Sequence, residues 1–402
     1  MQSLKELFRI GSGPSSSHTM GPEKASNYIL EKYPHSSRYV VYLYGSLALT
    51  GKGHLTDYII KSILGSKCEV KFDTKTKTDH PNTFKIEVYK DEILLDKVDF
   101  VSIGGGEILI NGLKMGKSNE VYNFKDFKDI CDYAVDSNID LPGVVYRFDS
   151  PDIKEYLNEV YDTMKKSIVN GLSKDGYLPG SLHVKRKAKN IYEALNQNKS
   201  NDLRDDVIAY AYAVSEENAS GGKIVTAPTC GSSGVLPACL YHYELLGYPK
   251  NKIIDALAVS GLIGNTIKQN ASISGAYLGC QAEVGAACSM AAAAISYLNG
   301  GGINEIDCAS EIAMEHHLGL TCDPVDGLVQ IPCIERNAVA ALRAIDAAKM
   351  SILPIYPEKI TFDMVVKTML ETGKDIMESY KETSMGGLAL SNIKRQWRNY
   401  YF

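Results

Sequence analysis

The feature that most constrains this chain is a change of texture near Gly116. Before it, short runs rich in β-branched and alternating apolar residues read as strands: RYVVYLYGSLAL up to Gly45, CEVKFDT, TFKIEVYK and EILLDKVDFVSI. Alternation of this kind turns one face of a strand toward a core. PEKASNYILEKY and LTDYIIKSILG carry helical spacing between them. From KDFKDICDYAVDS onward the chain reads as helix after helix, broken by Gly, Pro and Asn. The stretch from Asp202 to Asn299 is rich in Ala and Gly, which lets helices approach closely around a site. The expectation is an α+β protein: a small N-terminal α/β domain, residues 1–118, followed by a larger all-helical catalytic domain, residues 119–402. The boundary is expected between Leu113 and Asn123.

Composition narrows the classes of function. Of the 402 residues, 45% are hydrophobic and 23% charged, and the formal net charge is −5 without a long basic run. Nothing here favours nucleic-acid binding. The two longest apolar runs, IIDALAVSGLIGNTI and AACSMAAAAISYL, are short for a membrane span and suit buried helices. The start, MQSLKELFRIGSG, lacks the apolar core of a secretory signal. Nine cysteines is an odd number, so metal binding, catalysis or plain burial fits better than a disulfide framework. The expected compartment is the reducing cytoplasm.

Three cysteines differ from the rest by their surroundings. Cys280 in GCQAEVG, Cys322 in LTCDPVDG and Cys333 in IPCIERN each lie beside Gly or Pro and near polar or acidic residues. No CxxC is present, so zinc ribbons, ferredoxin runs and thioredoxin motifs do not apply. Cys68, Cys131, Cys239, Cys288 and Cys308 suit the ordinary role of a small core hydrophobe. Polar loops add further candidates. GSGPSSSHTMGPEKA places hydroxyls and His18 ahead of a helix, where backbone N–H groups bind carboxylates; its plain alternative is a Ser-rich turn and cap. YGSLALTGKGHLTD carries Lys52 and His54 on a glycine-containing loop. SIGGG reads most simply as a turn, lacking both GxGxxG spacing and a P-loop lysine. EENASGGKIVTAPTCGSSG offers donors for a small zwitterion or is a polar connection between helices.

Taken together, GPSSSHTMGP, YGSLALTGKGH, SIGGG, GGKIVTAPT, NASISGAYLGCQAEVG, EHHLGLTCDPV, IPCIERNA and ETSMGGLAL resemble the iron–sulfur L-serine dehydratases. The motifs run in order from residue 13 to residue 390. The resemblance implies conversion of L-serine to pyruvate and ammonia without pyridoxal phosphate. It also implies a [4Fe–4S] cluster held by Cys280, Cys322 and Cys333, and an active site between the domains that includes His18 and His54. His54 is expected as the base for the α-proton, with His18 beside it, or the two with their roles exchanged, and Lys52 supplying positive charge. Ser15, Ser16, Ser17, Asn270, Ser272 and Ser274 are expected to hold the amino-acid substrate. A homodimer is expected, with neither nucleic acid nor membrane as a partner.

The chain departs from the family pattern in places. Leu55 stands where the family's GKGHHTD has a second His, Cys230 lies in a TNGACG-type loop, and His317 replaces the Asn of EHNLGLTC. No cysteine follows Cys333, so the fourth iron is expected to take water, another side chain or the Phe402 carboxylate. Rival readings are a lyase acting on threonine or cysteine, and a non-catalytic iron–sulfur sensor.

Overall fold

The alternating segments assemble into one sheet. In the computed structural model, which describes residues 1–114, 120–198, 204–353 and 359–391, six strands lie in the order Cys68–Asp73, Arg38–Tyr44, Thr83–Lys90, Ile93–Gly104, Glu107–Ile110, Leu113–Lys114. The first two are parallel and joined through helices Gly45–Thr50 and Thr56–Leu64; every other neighbouring pair is antiparallel. Phe84, Ile86 and Val88 are buried on one face, while the alternating Lys85, Glu87 and Tyr89 stay partly exposed. Helices Gly21–Lys32 and Thr56–Leu64 cover the apolar face with Ala25, Ile29, Ile60 and Leu64.

The second body is built around helix Val284–Leu298, which is buried along its length apart from Tyr297. A helix apolar on all sides belongs at the centre of a bundle. Its run of alanines lets helices Val235–Leu245, Lys250–Asn270, Ile303–Glu315 and Cys333–Ser351 pack directly against it. No described helix is long and apolar enough to cross a membrane.

The α+β organisation is as expected, with two additions. The larger body is not all helix, because Lys223–Val225 pairs antiparallel with Ile10–Ser12. The chain start also packs with this body rather than with the sheet: Met1, Leu4, Leu7 and Phe8 are part of the helical core. Polar contacts fix the same placement. The Met1 ammonium donates to the Tyr122 carbonyl at 2.6 Å, and Asp149 accepts from the Leu4 N–H at 2.8 Å. The chain therefore starts in the helical body and crosses to the sheet body between Gly13 and Met20. That crossing carries His18. The expected boundary at 118/119 lies outside the described residues.

Candidate active site

The histidine wall of the site comes from two loops that tie each other down. Ser15 caps the turn Ser16–Met20, its Oγ accepting from the His18 N–H at 3.0 Å. Such a cap is worth about 0.5–2 kcal/mol. Asn218 of the helical body donates to the Pro14 carbonyl at 2.9 Å and anchors the loop from below. Thr19 donates to the His54 carbonyl at 2.8 Å, and Thr56 donates to the His18 carbonyl at 2.7 Å. The two imidazole centroids are 4.3 Å apart. Gly53 sits so close to the helical body that a Cβ there would stand 2.6 Å from the Gly327 carbonyl oxygen. Any larger residue would push the His54 loop off its seat.

Hydrogen-bond partners assign a tautomer to each ring. His54 Nδ1 lies 3.2 Å from the Thr50 carbonyl oxygen, which can only accept, so Nδ1 carries the proton. The Nε2 lone pair then faces the cavity, 3.6 Å from Glu382 Oε1. The Ser46 hydroxyl donates to the Glu382 carbonyl at 2.6 Å, and therefore accepts from His18 Nε2 at 3.1 Å. The His18 Nδ1 lone pair is left 3.6 Å from the same Glu382 Oε1, with Ser15 Oγ 3.5 Å away. Burial pushes His54 down to about 4, and burial followed by the neighbouring His54 pushes His18 well below the usual imidazole range. Both rings are neutral at physiological pH.

The cysteine wall comes from the helical body. Cys280 follows Gly279, whose φ of +80° turns the chain out of helix Gly275–Leu278. Cys322 lies alongside the segment that carries Glu382: the Glu382 N–H donates to the Cys322 carbonyl at 2.7 Å, and the Cys322 N–H donates to the Tyr380 carbonyl at 2.8 Å. Cys333 opens helix Cys333–Ser351 directly after Pro332. All three cysteines line one cavity together with Ser15, His54, Glu283 and Glu382. Its free volume is about 20 Å³, room for about one water. Glu283 accepts from the Thr229 hydroxyl at 2.8 Å, and its other oxygen is 4.0 Å from Cys280 Sγ and 3.8 Å from Cys322 Sγ. Contact with Cys280, then burial, pushes the Cys322 thiol up; burial, then Cys280, does the same to Cys333. Burial also raises Glu283 and Glu382, the latter further through Glu283 and Cys280.

The structure brings together Cys280, Cys322, Cys333, His18, His54 and Ser15, and leaves the other expected site residues apart. Ser16 and Ser17 are buried in the turn without lining the cavity. Lys52 is exposed, its ammonium 5.5 Å from the Phe72 ring centroid, where it keeps its hydration and a cation–π contact. Asn270 ends helix Lys250–Asn270, and Ser272 lines an outer cleft of about 480 Å³ between the bodies. Ser274 is buried against Gly104 of the SIGGG turn, which docks here. Cys239 and Cys288 are fully buried core residues whose thiols point at the Ala341 and Ala340 carbonyls.

Residues that sequence reasoning passed over are Glu382, Glu283, Ser46 and Thr50. Both acids stand inside motifs quoted above, ETSMGGLAL and GCQAEVG, but nothing local marks them as facing the cavity. For Glu382 the signal is backbone: its φ of +57° is uncommon for a residue with a side chain.

Comparison with known proteins agrees with this architecture. The serine dehydratase alpha chain family matches residues 62–389 and the serine dehydratase beta chain family matches residues 3–70. L-serine dehydratase of Haemophilus influenzae is 38% identical over 98% of this chain and 100% of its own length. L-serine dehydratase 1 of Escherichia coli is 38% identical over 97% and 99%, and L-serine dehydratase of Helicobacter pylori 39% over 96% and 98%. The chain belongs to the serine dehydratase family, with alpha-chain and beta-chain parts joined in one polypeptide.

Proposed function

We infer that this enzyme is an L-serine ammonia-lyase that converts L-serine to pyruvate and ammonia, and that Cys280, Cys322 and Cys333 hold a [4Fe–4S] cluster. The observation that carries this reading is the cavity itself: the thiols of Cys280, Cys322 and Cys333 on one wall face His54 on the other, with the His18 ring 4.3 Å from it and both rings held neutral. The donor set suits the cluster. The thiols converge from three separate loops, and the polar side chain nearest Cys280 and Cys322 is Glu283. Three cysteines would leave one iron without a thiolate. When bound, the cluster supplies a Lewis acid for a hydroxyl leaving group, an effect worth several kcal/mol. Phe402, one suggested ligand for the remaining iron, lies outside the described residues.

The protein's own part is proton handling and positioning. His54 Nε2 carries a lone pair into the cavity and is the proposed acceptor of the α-proton, a role that typically contributes about 10²–10⁴-fold. Its tautomer is set by the Thr50 carbonyl behind it, so no reorientation is needed before the transfer. His18 sits beside it as the second neutral ring. The enzyme is proposed to act in the cytoplasm as a homodimer, which light scattering would test.

Anaerobic reconstitution with iron and sulfide tests the assignment. A brown protein that forms pyruvate from L-serine and loses activity in air is the expected result. A panel of L-serine, L-threonine and L-cysteine then fixes substrate preference, since one methyl group changes discrimination by only about 1–3 kcal/mol. A colourless protein active with pyridoxal phosphate alone would sink the cofactor assignment.

A further inference from the structure

Two carboxyl groups open on the cavity, Glu382 buried and Glu283 partly buried, and they differ in what they already hold. Glu283 is occupied on both oxygens, by the Thr229 hydroxyl and by the neighbouring thiols of Cys280 and Cys322. Glu382 is met on one side by the Ala276 N–H. Its Oε1 faces two ring nitrogens, each 3.6 Å away, and by the tautomers derived above neither has a hydrogen to give. His18 Nδ1, His54 Nε2 and a Glu382 oxygen all lie within 4.8 Å of one another. Burial raises Glu382, and an incoming cation would offset that and ionise it; His54 Nε2, the Glu382 carboxylate and His18 Nδ1, which the Ser15 hydroxyl also faces at 3.5 Å, then form a receptor for a group that brings its own donors. An ammonium carries three N–H donors in about that spread.

We propose that Glu382, with His18 Nδ1, is the seat of the substrate's α-ammonium group, and so the residue that makes the enzyme select amino acids over the corresponding hydroxy acids without nitrogen. This inference rests on the serine reading of the site. It is compatible with His54 as base, because the α-hydrogen and the ammonium share one carbon, and His54 Nε2 borders the same Glu382 oxygen. The backbone supports a fixed post. Glu382 is held at positive φ, its N–H is tied to the Cys322 carbonyl at 2.7 Å and its carbonyl to the Ser46 hydroxyl at 2.6 Å. One residue is thus bonded to both walls of the cavity.

The test compares two dead-end ligands on the anaerobically reconstituted enzyme. L-alanine keeps the ammonium and lacks the hydroxyl; 3-hydroxypropionate keeps the hydroxyl and lacks the ammonium. Binding is measured by calorimetry, alongside KM and kcat for L-serine. In Glu382→Gln, L-alanine binding and the L-serine KM should weaken by about tenfold to a hundredfold, the loss of one charge-assisted contact. Binding of 3-hydroxypropionate should stay within about twofold. Equal weakening of both ligands, or of neither, overturns the seat. Should Glu382→Gln fail to fold, Glu382→Asp keeps the charge but shortens the reach. It should narrow the preference for L-alanine over 3-hydroxypropionate, and an unchanged preference overturns the proposal. A divalent ion bound in addition to the cluster's iron, and lost in Glu382→Gln, also overturns it, since the trio would then be a metal site. Wild-type enzyme that neither turns over L-serine nor binds L-alanine overturns the serine reading, and the seat with it.

Discussion

The two walls of the cavity are built on opposite plans. On the histidine wall each ring N–H already has its acceptor, Thr50 for His54 and Ser46 for His18, and each loop is laced to the other through Thr19 and Thr56. It is complete as folded. On the cysteine wall the thiols sit near Glu283 at 3.8–4.0 Å, in a space with room for about one water. Contact with Cys280 and burial for Cys322, and burial and Cys280 for Cys333, push both thiols up. The sheet body thus contributes orientation that exists before any ligand arrives. The helical body contributes thiols that, on the reading proposed above, would exchange the Glu283 contact for iron, with release of their protons.

The largest expected effect follows from that contrast. Cys280→Ser, Cys322→Ser and Cys333→Ser should each lose the brown colour and most bound iron, and L-serine turnover should fall by at least about 10³-fold. Cys288→Ser should keep its iron, although a hydroxyl in that core costs about 1–3 kcal/mol of stability. Iron per chain and visible absorbance check both. Loss of iron in Cys288→Ser with retention in Cys333→Ser would break the division into cofactor-holding and core cysteines.

Next in size is the histidine wall. His54→Ala should lower kcat by about 10²–10⁴-fold while iron content stays at the wild-type level. Exchange of the serine α-proton with solvent is the direct readout. Near-normal exchange in His54→Ala would remove His54 from the role of base and leave it as packing.

The asymmetry also explains what the sequence could reveal. The sheet and its two helices were legible because period-two and helical spacing report burial on one face, as in Thr83–Lys90. Cys280, Cys322 and Cys333 were legible only through their neighbours, since their spacing resembles that of Cys239 and Cys288 in the core. Lys52 misled because a charge near a catalytic loop is easily read as part of it, whereas the side chain points out over Phe72. Glu382 was hidden for a different reason. It reaches the histidines from the far end of the chain, and no local pattern encodes a contact between residues 54 and 382. The helical placement of Leu4, Leu7 and Phe8 was likewise non-local, because a short apolar turn packs against whichever core has room for it.

A third effect separates the walls by pH. The unfolded chain protonates histidine near 6.5, whereas buried His54 resists until about 4. Above pH 6.5 both states hold the ring neutral, and its contribution does not change with pH. As pH falls below that, the unfolded chain takes up a proton that the folded one refuses, so stability is lost down to about pH 4. For His54 the loss reaches roughly 2 kcal/mol by about pH 5. Urea midpoints of wild type and His54→Gln across this range should diverge, the variant showing the shallower slope. Parallel slopes would mean that the ring is not held neutral by burial.

The smallest expected effect probes how the histidine wall is kept ready. In Ser46→Ala the His18 Nε2–H loses its acceptor and the Glu382 carbonyl loses its donor. A buried N–H without a partner costs about 1–3 kcal/mol. The ring can recover part of this by moving its proton to Nδ1, which then donates to the Glu382 carboxylate. That shift fills the cavity with a donor where the folded protein now offers a lone pair. The L-serine KM should rise about tenfold, with kcat and iron content little changed. Nitrogen chemical shifts of labelled His18 read the tautomer directly: Nε2-protonated in wild type and redistributed toward Nδ1 in the variant. A KM shift without a tautomer shift would make Ser46 a packing residue. An unshifted tautomer with normal KM would mean that the order of the histidine wall is set by His54 and its Thr50 contact alone.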